Sequence, residues 1–511
     1  MLFLKKQLFP ISLNLNLKLR PGWKKAGLLI LYFFPLIMLA FLLIRPNLPK
    51  MNWQMAFERS ANYSPQNYQQ NKESQLPWLS TSGRFIVDEE GRPVILRGVN
   101  VASISWGYKD WFPKAVEVAA KDWGVNVIRA RVYQDKYFEN PEEFFQIMEE
   151  TIIGPARKLN LYIILNPWIG ENEPLPNEQT FIFWQEIARR YQNDPAIIYD
   201  VLAEPYDVSR VQVWEANKKL IEAIRQVHPK SLIMVTGVGW GREINSYLNN
   251  PLPYKNIVYR TNPYNKTGEF EAIFGRIARF YPVFIGEFGA DGFPPMTRES
   301  VEELLLLANK LSLGWTAWNF HSVGCPCLLT DRQSYQPSAY GQIVKNALGV
   351  PLAVNQNNLE INYSADKKLI IYSDHLENNF RDLSWDATID LVNQEQAFSG
   401  QKSIKTEINK GWGALYLSSY LPIETENLSW FKFKIKTNQL NLYRTNLITN
   451  NNSSSNEVAL LPWSKHISEN WYQVAIPLTN LINKNEKIIG LNIKDSSGSP
   501  SLFWVDDIYL E

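Results

Sequence analysis

Phe183–Pro205, FWQEIARRYQNDPAIIYDVLAEP, carries a helix and a strand in succession. Trp184, Ile187, Ala188 and Tyr191 recur at i, i+3, i+4 and i+7, the apolar face of a helix. The helical period then stops, and Ile197–Leu202 is a short strand-like run with Glu204 just past its end. The same alternation runs from Trp78 to Gly349. Candidate strands are Ile95–Val99, Val125–Val132, Leu161–Asn166, Ile197–Leu202, Leu232–Thr236, Ile257–Asn262, Val283–Glu287 and Gly314–Asn319. A hairpin at Phe85–Val94, turning at Glu90-Gly91, precedes them. Asn140-Pro141-Glu142-Glu143 supplies a cap, a proline at the first helical position and a glutamate at the third. Val301, Leu304, Leu305 and Ala308 give a second helical face. Eight such units predict a (β/α)8 TIM barrel, whose usual size is ~250 residues. A doubly wound open sheet would carry a Gly-rich phosphate turn after its first strand, and Arg97-Gly98-Val99-Asn100 is not one.

Residues 26–44, AGLLILYFFPLIMLAFLLI, are uncharged. At ~1.5 Å per residue they reach about 28 Å, close to a ~30 Å hydrocarbon core. Lys5, Lys6, Lys18, Arg20, Lys24 and Lys25 precede the run, and only Arg45 and Lys50 closely follow it. The expectation is an N-terminal transmembrane helix, with residues 1–25 cytoplasmic and everything after Arg45 outside. A cleaved signal peptide, giving a secreted form, is the alternative, but no small-x-small site lies near Ile44. Residues 45–77 read as a flexible tether, 78–349 as the barrel and 350–366 as a linker. In residues 367–511 short alternating runs replace the helical period, at Ile370–Tyr372, Gly413–Leu417, Trp430–Lys436, Tyr472–Pro477, Ile488–Ile493 and Leu502–Leu510. They predict an antiparallel β-sandwich.

Composition narrows the function. Net charge is +1 and charged residues make up 20%, with no basic arm or stripe on the folded part, so nucleic acid is not an expected partner. Cys325 and Cys327 are the only cysteines of the 511 residues. They exclude a disulfide framework and a Cys-rich zinc site, while two free thiols and a local staple both stay open. Four scattered histidines offer no metal centre, and neither cofactor nor metal is expected. The chain is expected to be a monomer. Aromatics are abundant, at 18 Trp, 24 Tyr and 25 Phe. They serve both a large core and flat walls for sugar rings. Catalytic groups of such a barrel stand at the C-terminal ends of its strands, where Glu204 and Glu287 fall. Two carboxylates facing one pocket are what a retaining glycosidase uses, ~5–5.5 Å apart, one as acid/base and one as nucleophile.

The barrel segment, from about Trp78 to Leu348, resembles glycoside hydrolase family 5, the cellulase family. The likeness rests on Gly83–Asp88, Gly91–Asn100, Trp123–Arg129, Phe183–Ala188, Glu204-Pro205, Asn256–Tyr264, Ile285–Gly289 and Trp315–Trp318, in that order. It implies Glu204 as acid/base, Glu287 as nucleophile, Arg129 holding Glu287 ionised, Tyr264 donating a hydrogen bond to Glu287, and Trp318 stacking on the sugar. Three positions depart from the family pattern. Trp168 stands where the third strand ends in histidine, Ala203 where an asparagine precedes the acid/base, and Asn262 where a histidine lies two residues before the tyrosine. Trp168 and Asn262 are therefore candidates for shaping the sugar subsite. Trp106, Trp111 and Trp240, in loops on the catalytic face, are candidate platforms, with loop packing as the alternative for each. Ser399–Ile404 and Phe503–Leu510 resemble jelly-roll carbohydrate-binding modules, and Trp385, Trp412 and Trp463 are candidates there, with burial as the alternative. The resemblance implies an endo-type retaining β-glycosidase acting on a β-linked carbohydrate, glucan-like or mannan-like. The alternatives are a membrane-anchored glycan-binding or envelope-organising protein with weakened catalysis, and a transglycosylase acting on exported glycan.

Overall fold

The computed structural model describes residues 75–101, 109–170, 173–350, 360–450 and 455–511. The expected anchor at 26–44, the basic segment before it, most of the tether and Trp106 lie outside the described residues. Among the described residues no helix is long and apolar enough to cross a membrane.

Eight parallel strands close into a barrel: β1 Arg97–Val101, β2 Val127–Tyr133, β3 Tyr162–Trp168, β4 Ile197–Asp200, β5 Ile233–Thr236, β6 Ile257–Thr261, β7 Val283–Ile285 and β8 Gly314–Ala317. Each pairs with its sequence neighbours, and β8 returns to β1 through Trp315↔Arg97. Strands buried on both faces read as near-continuous apolar runs, which is why all eight were visible in the sequence. Helices Phe112–Lys121, Glu178–Tyr191, Arg210–Arg225, Arg298–Lys310 and Ala339–Gly349 pack outside them. Asn177, Ser209, Thr297 and Ser338 cap four of these helices by accepting from a first-turn N–H. The predicted Asn140 cap also forms, taking the Glu143 N–H at 3.3 Å. The helical regularity fails in two crossovers. Only short helical turns, Asn245–Leu248 and Glu271–Arg279, join β5 to β6 and β6 to β7.

The N-terminal end of the barrel is plugged. Strands Ser80–Ser82 and Phe85–Val87 form a hairpin that sets Leu79 and Ile86 against Leu96, Val127, Ile164, Ile198, Met234, Val258 and Phe284. Chain 88–94 then folds back, with the Val94 N–H donating to the Ile86 carbonyl at 2.8 Å.

Two antiparallel sheets follow. One contains Leu369–Tyr372, Ala387–Asn393, Ser403–Ile408, Trp430–Lys436, Ser464–Ser468, Trp471–Pro477 and Ser501–Leu510. The other contains Phe380–Asp382, Ala414–Ile423, Tyr443–Thr449, Val458–Ala459 and Ile488–Asp495. All six predicted strands are present. The rest escaped because they are short or polar at alternate positions, as in Tyr443–Thr449. Trp385 and Trp463 pack against neighbouring cores, whereas Trp412 is 65% exposed.

This sandwich is fused to the barrel at the end opposite the strand C-termini. The buried Arg279, four residues before β7 begins, donates from Nε to the Leu383 carbonyl at 2.7 Å and from Nη2 to the Ser384 carbonyl at 3.2 Å. Tyr416 Oη donates to the Arg279 carbonyl at 3.0 Å. Tyr420 packs with Phe85, Val87 and Ile95 of the plug, and the Gly83 N–H donates to the Asn450 carbonyl at 2.9 Å. Leu383, Tyr416, Ile448 and Ile489 belong to the same buried cluster as the barrel's outer core. Burial shared in this way couples the two folding units. A chain beginning at Glu73 is expected to unfold in urea in one transition, by tryptophan fluorescence and circular dichroism alike. Arg279→Ala should lower its stability by about 3 kcal/mol, since hydrogen bonds from a charged donor contribute ~1.5–3 each; two separate transitions would contradict the fusion.

Candidate active site

Glu287 follows β7 and is 3% exposed. Two guanidiniums from β2 meet its Oε1. Arg129 Nη1 donates at 2.7 Å and Arg131 Nη2 at 3.2 Å. Residues two apart on a strand share a face, so Arg129 and Arg131 both project into the barrel. Burial opposes ionisation of Glu287, but the charge of Arg129, then that of Arg131, outweighs it and holds the carboxyl below its ordinary range. Glu204, beyond β4, is driven the other way. Burial and the negative charge of Glu287 push it up, more than Arg131 and Asn262 draw it down. Asn262 Nδ2 donates to Glu204 Oε1 at 3.0 Å.

A layer of charge lies beneath the pair. Arg129, Asp200 and Arg260 come from β2, β4 and β6, alternate strands of the kind that fill one level of a barrel interior. Arg129 Nε donates to Asp200 Oδ2 at 2.9 Å, and Arg260 Nε to Asp200 Oδ1 at 3.2 Å. Arg260 Nη2 also donates to the Leu202 and Ala203 carbonyls at 2.5 and 2.7 Å, fixing the backbone that presents Glu204. Asn100 of β1 accepts from Arg129 Nη1 at 2.7 Å and donates to the Gly286 carbonyl at 2.9 Å, tying that guanidinium to the backbone beside Glu287. Gly286 is required by this crowding, because a Cβ there would sit 2.3 Å from Arg260 Cδ.

Two tryptophans flank Arg131. Its guanidinium carbon lies 4.8 Å from the Trp318 ring centre and 5.5 Å from that of Trp168. Trp318 Nε1 donates to the Gly324 carbonyl at 3.2 Å, in a loop where Cys325 and Cys327 form a disulfide, the staple that the sequence had left open. Trp240 is 50% exposed and stacks on Tyr206 at 4.5 Å, just past Glu204-Pro205, as a platform would. Trp111 instead donates to the Arg332 carbonyl and stacks on Tyr335, so it belongs to loop packing.

The structure therefore gathers Glu204, Glu287, Arg129, Asn262, Trp168 and Trp318, with Trp240 at the margin. Tyr264 is buried near the pair but does not donate to Glu287, contrary to expectation; two arginines fill that need. Sequence reasoning missed Arg131, Asp200, Arg260 and Asn100. The signal was present as charges inside otherwise apolar strands, Arg-Ala-Arg at 129–131, Asp200 in Ile197–Leu202 and Arg260 in Ile257–Asn262. A buried charge needs partners, and alternate strands supply them.

A (β/α)8 barrel with two carboxyls at its strand ends, one held ionised and one pushed toward the neutral form, defines the glycoside hydrolase class. Residues 87–324, most of the barrel, match the family model described as Cellulase (glycosyl hydrolase family 5). Similar proteins include Endoglucanase E-5 of Thermobifida fusca, 28% identical over 259 residues, 47% of this chain and 55% of that protein. Endoglucanase A of Butyrivibrio fibrisolvens is 29% identical over 231 residues, 42% of this chain and 53% of that protein. The chain thus spans about half the length of the curated relatives it matches. The native form of β-glucanase SdGluc5_26A from Saccharophagus degradans superposes with a TM-score of 0.50 at 22% identity, over 54% of this chain and 94% of that one, a likeness of fold.

Asp200 is the only carboxylate bonded to both buried arginines of this layer. Asp200→Asn should destabilise the chain by ~3–5 kcal/mol, the range for breaking a buried pair, measured by urea unfolding; a loss under 1 kcal/mol would mean the arginines are neutralised elsewhere.

Proposed function

We propose that the barrel is a retaining, endo-acting β-glycosidase that cuts a β-linked glucan by double displacement. The observation that carries this is the opposite bias of Glu204 and Glu287 within one site. Names of relatives such as Endoglucanase E-5 support a β-glucan backbone. Glu204, protonated, gives its proton to the leaving glycosidic oxygen while the ionised Glu287 attacks the anomeric carbon. The covalent glycosyl ester is then opened by water, from which Glu204 takes a proton. Arg129 and Arg131 keep Glu287 charged, and the Asn262 contact aims the Glu204 carboxyl. Trp318 and Trp168 provide apolar walls for a pyranose, and Trp240 one for a further unit. Ala203 has no side-chain donor for the sugar 2-hydroxyl, so that stabilisation has to come from other groups. The apolar run at 26–44, with lysines and arginines before it, supports a single-pass anchor with the barrel outside the cytoplasmic membrane.

The different-class reading, a glycan-binding protein with weakened catalysis, draws on Trp168, Ala203 and Asn262. It leaves unexplained why buried arginines should be spent on keeping Glu287 ionised.

Incubation with soluble β-1,4-glucan should release new reducing ends in the β configuration, seen by proton NMR. Glu204→Gln should lower kcat by ~10²–10⁴, the usual share of general acid–base catalysis, and Glu287→Gln should remove turnover. Binding without turnover in all three proteins would favour the rival. The profile of kcat/KM against pH should be a bell. Its acid limb falls as Glu287 takes up a proton, below the ordinary glutamate value of ~4.3, and its alkaline limb falls as Glu204 loses one, above that value. An alkaline limb at or below ~4.3 would contradict the assignment of Glu204.

A further inference from the structure

Arg131 is more than the stabilisation of Glu287 requires. Arg129 already bonds the same Oε1 at the shorter distance. The linked groups around the carboxyl pair comprise three guanidiniums, Arg129, Arg131 and Arg260, against Asp200 and Glu287, with Glu204 pushed toward its neutral form. One positive charge is left over. It falls to Arg131, the most exposed of the three arginines, its side chain being 14% exposed against 2% and 0% for the other two. Its Nε is buried and has no hydrogen-bond partner among the described residues, and the guanidinium is bracketed by Trp168 and Trp318, the proposed sugar walls. A partly desolvated cation with an unmet N–H, inside a sugar site, calls for an acceptor that arrives with the substrate.

We propose that the sugar held between Trp168 and Trp318 carries an anionic substituent, a carboxylate or a sulfate, which pairs with Arg131. This deepens the glycosidase reading and rests on it. The planar Nε and Nη donors suit either group in a forked contact. Flanking aromatic rings keep the guanidinium in place and reduce its competition with water. A neutral sugar would leave the Nε–H unmet or give it a single hydroxyl.

The test uses the chain beginning at Glu73 and three matched substrates: cello-oligosaccharides, their C6-oxidised carboxylate forms and their 6-O-sulfated forms. The protein should turn over at least one anionic series with higher kcat/KM than the neutral one, mainly through KM, and the advantage should shrink with added salt. In Arg131→Met the ratio of anionic to neutral kcat/KM should fall roughly 30-fold, as for truncating one member of a buried charge pair. Arg131→Lys should recover part of it. Which series leads identifies the group as carboxylate or sulfate. A ratio that favours neutral oligosaccharides, or that Arg131→Met leaves unchanged, overturns the inference and leaves the glycosidase reading standing. If no series is cut, calorimetric titration with the carboxylated and sulfated oligosaccharides decides. Binding that Arg131→Met removes keeps the anionic subsite while the hydrolase reading falls, and binding that is absent or unaffected ends both.

Discussion

Arg129 is the constraint on which the site depends. Its guanidinium is fully buried and bonds at once to Asp200, Asn100 and Glu287, three groups from three other strands. A buried guanidinium of this kind is tolerable only while its partners stay in place. Those partners are set by barrel closure, since Asp200 is on β4, Asn100 on β1 and Glu287 just past β7. The charge layer thus makes the position of Glu287 a consequence of the whole barrel being closed rather than of one loop's conformation. Arg260 extends the same logic to Glu204, bonding both Asp200 and the carbonyls that lead to it.

The two carboxyls are both desolvated yet diverge, and the reason is the distribution of donors. Glu287 receives two charged donors, Glu204 one neutral amide from Asn262. A carboxylate surrounded by cations keeps its charge, and its charge then disfavours ionisation of its neighbour. The asymmetry between the two carboxyls therefore arises from placing both arginines on β2, which faces Glu287. The departures from the family pattern alter the sugar side of this arrangement. Trp168 joins Trp318 around Arg131, and Asn262 takes over the contact to Glu204, so the positions that lose a histidine gain other contacts.

The sequence carried the fold well where one physical signal was strong. Parallel strands buried on both faces gave eight apolar runs, and each became a barrel strand, although their ends moved by one or two residues, as at Val125, Leu161 and Asn262. It did not show that β5–β6 and β6–β7 lack full helices, because loops of that length carry polar and aromatic residues at no fixed period. Glu204 and Glu287 were legible from their place at strand ends. Arg131, Asp200 and Arg260 were not, because an isolated charge in a strand tells of a buried partner without telling which strand supplies it. The expected Tyr264 hydrogen bond differs for a related reason: a motif gives the neighbourhood of a side chain, whereas the hydrogen bonds to Glu287 come from the two arginines on β2.

The sandwich's position changes what it can contribute. It contacts the plug hairpin, the chain before β7 and the chain before β8, all at the strand N-terminal end. Glu204 and Glu287 stand at the other end, away from this interface. Arg279 is buried in the junction and Arg381 partly so, each donating across or along the seam. A rigid base at one end leaves the loops after β4, β7 and β8 free to carry the recognition. The aromatic and cationic groups suited to a sugar, Trp168, Trp318, Trp240 and Arg131, are all found at that end.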